Sequence, residues 1–500
     1  CTRGTESNHT AFLLNGRRLP AGFSGQYDLG LLGVDNIETL EFVRGPSSSL
    51  YGADAIGGVV DLRSKVADPG FSGTLQSEIG AFDTRLVQSQ LGYAVEGFST
   101  SFDLSYEETD NDRPQSDYDR ISFNSYSTYD LSEKLSFDLQ TLFYEAYLEV
   151  AGDNRFAPFP SGELNETIAY LISPRLKLEL TEELALELFY SHTKNELEAT
   201  ETPFLSNARF TETGNEIEAL ARFSPAEKPY EFALGFRFYE VDFHREPIQP
   251  TFTGEFRDRY HSVSTFGQGI WDVTDQLRVI GSARFDDYSD FDDAATGNLE
   301  LSYEIEETGT VLFAKYGTGY AAPVGNDLAR LDGDLKPEES RSWEIGLNQG
   351  LIEGKLNWAL IYFQTDIENL VDNDHGFTAY QVVDTEQEGF ETVFTFKPID
   401  SLKLEAAYTH LDAVITDGLY FGGFAGTSGD RLIRRPRHKI SFDAEVEFLE
   451  RGHFGLGVVS ELDREDPANT EHEDRTLIRI YSEWEIFDDF TVFARIENLL

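Results

Sequence analysis

The chain of 500 residues contains one cysteine, nine histidines and no methionine. A single cysteine cannot form an internal disulfide bond or a thiolate metal cluster. The histidines are scattered, and none forms the H-x-x-x-H pair that holds zinc on a helix. Long apolar runs are also missing, since no segment approaches the roughly 18 apolar residues of a membrane-spanning helix. We therefore expect no metal site, no cofactor and no transmembrane helix.

Positive charge is scarce as well. There are 40 lysines and arginines against 90 aspartates and glutamates, which gives a formal net charge of −50. Nucleic acid is excluded as a partner, because binding phosphate requires a basic surface. The aromatic content of 13% indicates a folded protein despite the acidity. The mean hydropathy of −0.36 does not exclude a membrane protein, because a transmembrane barrel alternates lipid-facing and lumen-facing residues.

From about residue 74 onward, apolar and polar residues alternate. In KISFDAEVEF (439–448), TSFDLSYEE (100–108) and KLSFDLQ (134–140), the apolar side chains point one way and the polar side chains the other. A period of two is the signature of β-strands. The polar face carries full charges, which is more than the interior of a β-sandwich would allow.

The segments between the predicted strands are of two kinds. The short ones are acidic turns at 130–136, 179–185, 272–278, 399–404 and 486–491. The long ones carry Gly, Pro, Asp and Asn, at about 109–119, 151–165, 245–258, 287–297, 321–340 and 415–437. This alternation is typical of an up-and-down outer-membrane barrel, whereas a sandwich has short loops at both ends. Aromatic clusters near strand ends, such as LFYEAY (142–147), favour membrane girdles over ordinary core aromatics.

The sequence predicts an all-β transmembrane barrel of about 22 antiparallel strands, of which about 21 are present. A barrel of that width needs a plug in its lumen. Residues 1–65 do not alternate like barrel strands, and we predict that they form a partial α/β plug domain.

The run VRGPSSSLYGADAIGGVVDL (43–62) is rich in serine and glycine, but it matches no nucleotide or nucleophile motif. It has no Gly-Lys-Ser/Thr, no G-x-G-x-x-G before a helix and no G-x-S-x-G. Instead, Arg44, Gly45 and Pro46 are expected to end a strand, because proline cannot donate to a β-ladder. Ser47 is placed to cap a helical turn at 48–51, and Gly52 suits a left-handed position after it. The last glycines of the run, Gly57 and Gly58, allow close approach of neighbouring backbone.

Several segments resemble TonB-dependent outer-membrane receptors. In the plug these are FLLNGRRLP (12–20) and the run from Asn36 to Lys65, and FARIENLL (493–500) resembles the last strand. Weaker barrel motifs are GTGYAAPVGNDL (317–328), LKPEESRSWEIGL (335–347), EQEGFETVFTF (386–396) and RRPRHKISF (434–442).

The resemblance implies a protein of the bacterial outer membrane, with the C-terminal part of the plug at 1–65 and the barrel at 66–500. We expect a fragment that lacks the closing strand, the first half of the plug, the energy-coupling box and the signal peptide. The resemblance implies uptake of a scarce ligand such as a ferric siderophore, cobalamin or another metal chelate. It also implies an inner-membrane TonB-type coupling partner, bound through the missing N-terminal segment, and no catalysis.

Two sets of site residues follow from the resemblance. The plug motif comprises Arg44, Gly45, Pro46, Tyr51, Gly52, Gly57 and Gly58, with Arg44 pairing with acidic wall residues. Aromatic side chains of the plug apex and the long loops are candidates for stacking on a ligand, although they could equally stabilise their own loops. They are Phe23, Tyr27, Phe156, Phe159, Tyr420, Phe421 and Phe424.

Other functions remain open at this point. A passive porin shares the barrel but lacks the domain at 1–65. A barrel lipase or protease needs a catalytic group at its rim, and the sequence offers only isolated histidines. A soluble β-rich binding protein is a further alternative, and it would stay in aqueous solution without detergent. The acidic charge itself has two explanations, a cation-friendly wall of lumen-facing acids or an adaptation to salty water.

Overall fold

The computed structural model describes residues 2–33, 36–151, 162–202, 206–226, 228–328, 336–352, 354–373, 380–420, 426–449, 451–466, 470–471 and 474–499. The N-terminal part contains the strands β1 (Thr10–Leu14), β2 (Arg17–Arg18), β3 (Ile37–Arg44) and β4 (Gly58–Ser64). It also contains the helical turn α1 (Ser48–Tyr51) and 3-10 turns at Ser7–His9 and Leu29–Leu31. A second helical turn, α2 (Gly325–Leu328), lies in the later part. Within the described ranges, no helix is long and apolar enough to cross a membrane.

The rest of the chain is almost entirely strand. Its strands are β5 (Gly70–Ile79), β6 (Arg85–Val95), β7 (Phe98–Thr109), β8 (Tyr118–Ser132), β9 (Leu135–Val150), β10 (Glu163–Glu179), β11 (Leu184–Thr200), β12 (Ala208–Phe223), β13 (Tyr230–Pro247), β14 (Phe256–Asp272), β15 (Leu277–Tyr288), β16 (Ala294–Ile305), β17 (Thr310–Ala321), β18 (Glu338–Leu351), β19 (Leu356–Asn373), β20 (Tyr380–Ile399), β21 (Leu402–Asp417), β22 (Leu419–Tyr420), β23 (Gly426–Thr427), β24 (His438–Phe448), β25 (Gly452–Leu462), β26 (Glu465–Asp466), β27 (Thr470–Glu471), β28 (Arg475–Phe487) and β29 (Phe490–Ile496).

Twenty-one of these strands, counted over the described residues, form a closed barrel in which β29 lies next to β5. Strands β22 with β23, and β26 with β27, form two small pairs outside the barrel sheet. The five predicted short turns all connect neighbouring strands at one end of the barrel, which we call the short-turn end. The long segments connect strands at the opposite, long-loop end. The predicted barrel and its strand number are therefore confirmed.

The barrel is inside-out compared with a soluble protein. On β7, the side chains of Phe102 and Leu104 are 41% and 50% exposed, whereas Asp103 and Ser105 are each 1% exposed. The polar face is therefore turned towards the lumen and the apolar face outwards. An outward apolar face is what a barrel needs to contact lipid.

The N-terminal strands form a separate sheet inside the barrel, in the order β2-β1-β4-β3. Strand β1 pairs parallel with β4, while the other two pairs are antiparallel. Leu14 and Leu62 of this sheet share one buried hydrophobic cluster with Leu142 and Leu171 of the barrel wall. The sheet is thus packed against the lumen wall, as expected for a plug.

The serine- and glycine-rich run connects β3 to β4 much as predicted, with two corrections. Strand β3 ends at Arg44 and α1 follows, but the Ser47 side chain does not cap α1. Its hydroxyl donates to the carbonyl of Gly45 at 3.1 Å, because the hydroxyl turns back towards the strand end. Gly52 has φ +80° and ψ −152°, which is a mirror-extended conformation and not the predicted left-handed helical one.

Glycine is required at the start of β4. Gly58 has φ +140°, and a Cβ there would lie 2.3 Å from the carbonyl oxygen of Val43. A Cβ on Gly57 would lie 2.5 Å from Thr5 Oγ1. The predicted close approach of backbone is therefore seen at Gly58, whereas the nearest atom at Gly57 belongs to the Thr5 side chain.

Candidate functional site

Ion pairs join the plug to the barrel wall. Arg3 donates from Nη1 to Glu344 at 2.6 Å and from Nη2 to Glu391 Oε2 at 3.0 Å. Arg44 Nη1 donates to the same Glu391 oxygen at 3.0 Å, which is the wall contact that the resemblance implies. We call Arg3, Arg44, Glu344 and Glu391 the arginine seam. Its two carboxylates balance its two guanidinium groups.

Three further buried pairs fasten the plug to the wall. They are His9–Glu338, Arg17–Asp138 and Glu6–Arg435. In each pair, one side chain also forms a hydrogen bond with a backbone group. Arg17 donates to the carbonyl of Asn15 at 2.8 Å, and Arg435 to that of Gly4 at 2.9 Å. The carboxylate of Glu338 accepts from the amide of Val371 at 3.0 Å. The charges of these three pairs are therefore both paired and hydrogen-bonded, as buried charges need to be.

His9 titrates in an unusual environment, because it is fully buried beside carboxylates. Burial alone would lower the pKa of the imidazole. The carboxylates of Glu338, Glu6 and Asp54 outweigh burial and raise the pKa of His9 above its ordinary value. The contact between plug and wall thus favours the protonated form of His9.

A cavity of about 290 Å³ lies between the plug loop Pro20–Leu29 and the wall. We call it the outer cavity. The wall contributes residues from the ends of β9, β10 and β11 that lead into long loops, so the cavity lies towards the long-loop end. Its lining residues are Gly22, Phe23, Ser24, Gln26, Tyr27, Asp28, Leu31, Tyr144, Ala146, Leu148, Asn165, Thr167, Asn195 and Leu197.

A smaller cavity of about 60 Å³ lies beside it, and Tyr27 and Asn195 line both. We call it the inner cavity. Four tyrosines line it: Tyr27, Tyr239, Tyr260 and Tyr288. Five charged side chains also line it: Arg18, Asp54, Glu212, Glu216 and Arg237.

The wall of the inner cavity follows the two-residue period of its strands. On β12, the lining residues are Glu212, Gly214 and Glu216. A Cβ on Gly214 would lie 2.5 Å from Thr193 Oγ1 on β11, so only glycine fits between the two glutamates without displacing that side chain.

Two of the three carboxylates in the inner cavity are paired. Arg18 Nη1 donates to Asp54 Oδ2 at 3.3 Å, and Arg237 Nε lies 2.7 Å from Glu216 Oε1. The guanidinium of Arg237 also lies 4.8 Å above the ring of Tyr239. Within the part of the chain that the structure describes, the carboxylate of Glu212 forms no hydrogen bond and no ion pair.

Tyr27 lines both cavities and packs on the plug core. Its ring lies 5.2 Å from that of Phe12, between centroids. Burial raises the pKa of its hydroxyl to about 12, against the opposing effect of Arg18. Tyr27 therefore keeps its proton at neutral pH and can donate a hydrogen bond.

The predicted ligand-binding aromatics have different positions. Phe23 and Tyr27 lie together in the outer cavity, where Phe23 stacks on Phe210 of β12 at 4.3 Å. Tyr420 is buried elsewhere, and its hydroxyl donates to Glu6 at 3.3 Å, so its role in binding a ligand stays a prediction. The remaining four lie outside the described residues: Phe156, Phe159, Phe421 and Phe424.

The plug-motif residues lie at the contact with the wall. A Cβ on Gly52 would lie 3.0 Å from a guanidinium nitrogen of Arg237, and Pro46 packs within 3.4 Å of the position that a Cβ on Gly317 would take. The carbonyl of Tyr51 accepts from Arg18 at 2.7 Å.

Sequence reasoning missed the inner cavity. The alternation of Glu212, Gly214 and Glu216 predicts that these residues share the lumen face, but nothing local shows that Arg237 pairs with only one of the glutamates. Arg18 and Asp54 are close in space because β2 and the segment after α1 meet in the plug, which the local pattern does not predict.

Two family models match the chain. The model described as TonB-dependent Receptor Plug Domain matches residues 2–59, and the model described as TonB dependent receptor-like, beta-barrel matches residues 63–499.

Solved structures of outer-membrane receptors are similar over the whole fold. The alcaligin receptor FauA of Bordetella pertussis has 18% identity and a TM-score of 0.78, over 99% of this chain and 85% of that one. The ferripyoverdine receptor of Pseudomonas aeruginosa has 14% identity and a TM-score of 0.79, over 100% of this chain and 77% of that one. A mutant of the ferric enterobactin receptor PfeA, also from Pseudomonas aeruginosa, has 16% identity and a TM-score of 0.82, over 99% and 86%.

At these identities the likeness shows the fold, and the family models show the membership. The inside-out barrel, the sheet packed in its lumen and the two matching models agree. The chain belongs to the TonB-dependent receptor family, whose members are receptors and transporters of the bacterial outer membrane.

Proposed function

We propose that this protein binds and imports a ferric siderophore or a related metal chelate. Energy-coupled uptake of a ligand follows from membership of the family, whereas the class of ligand is our proposal. The observation that carries it is the outer cavity, which lies between the plug loop Pro20–Leu29 and the wall at the long-loop end. Its aromatic side chains Phe23 and Tyr27, with polar groups around them, are typical of a small-molecule site. The neighbouring receptors for alcaligin, pyoverdine and enterobactin support the same class.

Import requires that the plug moves or rearranges, because it occupies the lumen. This movement needs energy, because buried ion pairs hold the plug to the wall. We propose that an inner-membrane TonB-type protein supplies that energy. We also propose a plug at 1–65 and a barrel at 66–500, which is supported by the end of β4 at Ser64 and the start of β5 at Gly70.

Binding and conductance together test this function. The purified receptor in detergent is titrated with ferric chelates of net negative, zero and positive charge, and ligand binding is followed by fluorescence quenching. The same protein in a planar bilayer is tested for steady ion conductance. We expect saturable binding of at least one chelate and little conductance, because the plug occupies the lumen. A steady open channel without saturable binding would instead identify a passive porin.

A further inference from the structure

We propose that the inner cavity binds an organic cation, namely an ammonium-bearing arm of the ligand, through Glu212 and the surrounding tyrosines. The inference rests on the proposed function only in placing this arm on an imported ligand. The cavity itself can be tested alone.

The charged groups that line the inner cavity leave a net negative charge. Two guanidinium groups face three carboxylates, and both guanidinium groups are already paired, with Asp54 and with Glu216. Glu212 is left without a counter-ion among the described residues. The Glu212 side chain is partly buried, and the two guanidinium groups of the cavity do not compensate its negative charge, so an entering cation would supply the missing counter-charge.

The lining of the inner cavity is also rich in aromatic rings. The rings of Tyr27, Tyr239, Tyr260 and Tyr288 line the same cavity as Glu212. Aromatic faces attract cations, and cages of such rings recognise ammonium groups. Tyr239 already shows this behaviour, since Arg237 lies 4.8 Å above its ring. Rings and one carboxylate suit an organic cation better than a metal ion, which prefers several oxygen or nitrogen ligands. Accordingly, no group of three or more His, Cys, Asp or Glu residues suited to a metal is found in the described ranges.

The volume of the inner cavity and its position beside the outer cavity limit what it can bind. About 60 Å³ is too small for a whole chelate but accommodates the end of an alkylammonium chain. The outer cavity is larger, at about 290 Å³, and shares Tyr27 and Asn195 with the inner one. A ligand bound in the outer cavity can therefore extend a narrow arm past Tyr27. Apart from Arg18 and Arg237, both paired, the two linings contain only acidic charges, with Asp28 in the outer cavity, so an anionic group is disfavoured.

The experiment uses n-pentylammonium as the probe and neutral N-pentylacetamide as its uncharged match. Binding to the detergent-solubilised protein is measured by ligand-observed NMR titration. We expect the wild type to bind the ammonium at least about 10-fold more tightly than the amide, and Glu212→Gln to lose that preference. Glu255→Gln removes the same charge from a loop position that is 71% exposed, and we expect it to retain the preference. Equal binding of the two probes by the wild type would overturn the inference, even if the variant failed to fold.

A second pair of probes separates this inference from the proposed function. The ferric complex of desferrioxamine B ends in a free ammonium, and its N-acetyl derivative does not. Preference for the free ammonium, lost in Glu212→Gln, supports both ideas. Equal binding of both complexes, or binding of an anionic chelate alone, overturns the inference and leaves the receptor function intact. If pentylammonium binds but no chelate does, the inference stands and the proposed chelate function fails.

Discussion

The arginine seam and the inner cavity are both polar contacts between plug and wall, but their charges are arranged in opposite ways. In the seam, two guanidinium groups meet two carboxylates at 2.6–3.0 Å, so every charged group of the seam has a counter-ion. In the inner cavity, two guanidinium groups meet three carboxylates, and among the described residues Glu212 has no counter-ion. The same residue types therefore serve two purposes. Where guanidinium and carboxylate groups are equal in number they hold the plug to the wall, and where carboxylates are in excess they can bind a cationic ligand.

The largest expected effect comes from breaking the seam. Arg3 is 5% exposed, and replacing it with alanine leaves Glu344 and, in part, Glu391 without a counter-ion. We expect Arg3→Ala to destabilise the plug by about 3–5 kcal/mol. The measurement is urea unfolding of the solubilised receptor. The control is Arg451→Ala, since Arg451 forms an exposed pair with Asp488 and should cost less than about 1 kcal/mol. Equal losses in the two variants would contradict the distinction between buried and exposed pairs.

A smaller effect is expected from titrating His9, which removes one charge from a buried pair without removing a side chain. Because Glu338 and its neighbours raise the folded pKa of His9 despite burial, protonation stabilises the folded state. That stabilisation is complete below the unfolded pKa of about 6.5 and is lost as the pH rises through the folded pKa.

Thermal unfolding of the receptor across this pH window provides the measurement. The plug should become less stable as the pH rises, and His9→Gln should flatten the profile. Changing the exposed His453 to asparagine should leave the profile unchanged. Equal slopes in the wild type and in His9→Gln would show that protonation of His9 does not stabilise the contact.

The smallest effect on stability is expected from replacing Phe23, which lines the outer cavity. Phe23 lies in a half-buried loop and stacks on Phe210, so Phe23→Ala should cost about 1 kcal/mol of stability. Its effect on the affinity for a bound chelate should be greater, up to about 10-fold, if the outer cavity is the binding site. Parallel titration of the chelate and denaturation of the variant separate the two effects. Unchanged affinity would remove Phe23 from the site.

The sequence was informative about the barrel because the relevant signals are local. Alternation such as Phe102–Asp103–Leu104 directly reports which face meets lipid, and short acidic turns report where strands reverse. The plug run was predictable in outline, since Pro46 and Gly58 restrict the backbone wherever they occur. Even there, the orientation of the Ser47 hydroxyl depended on its surroundings and was predicted wrongly.

The plug–wall pairings could not be predicted in the same way. Arg3 and Glu391 are 388 residues apart, and the alternation of each strand says only that Glu391 faces inwards. Glu212 looks like any other lumen-facing acid in the sequence. Its position beside four tyrosines, in a cavity where both guanidinium groups are already paired, becomes visible only from the full set of neighbours in space.

The carboxylate of Glu391 has one further consequence. A single oxygen, Oε2, accepts from both Arg3 and Arg44, which stand 41 positions apart in the sequence. Under a pulling force, load placed on one segment would transfer through that atom to the other. Rupture at Glu391 would then release Arg44 and weaken the hold on Arg3 in one event, leaving Arg3 bound to Glu344 alone, whereas independent anchors would yield one after another.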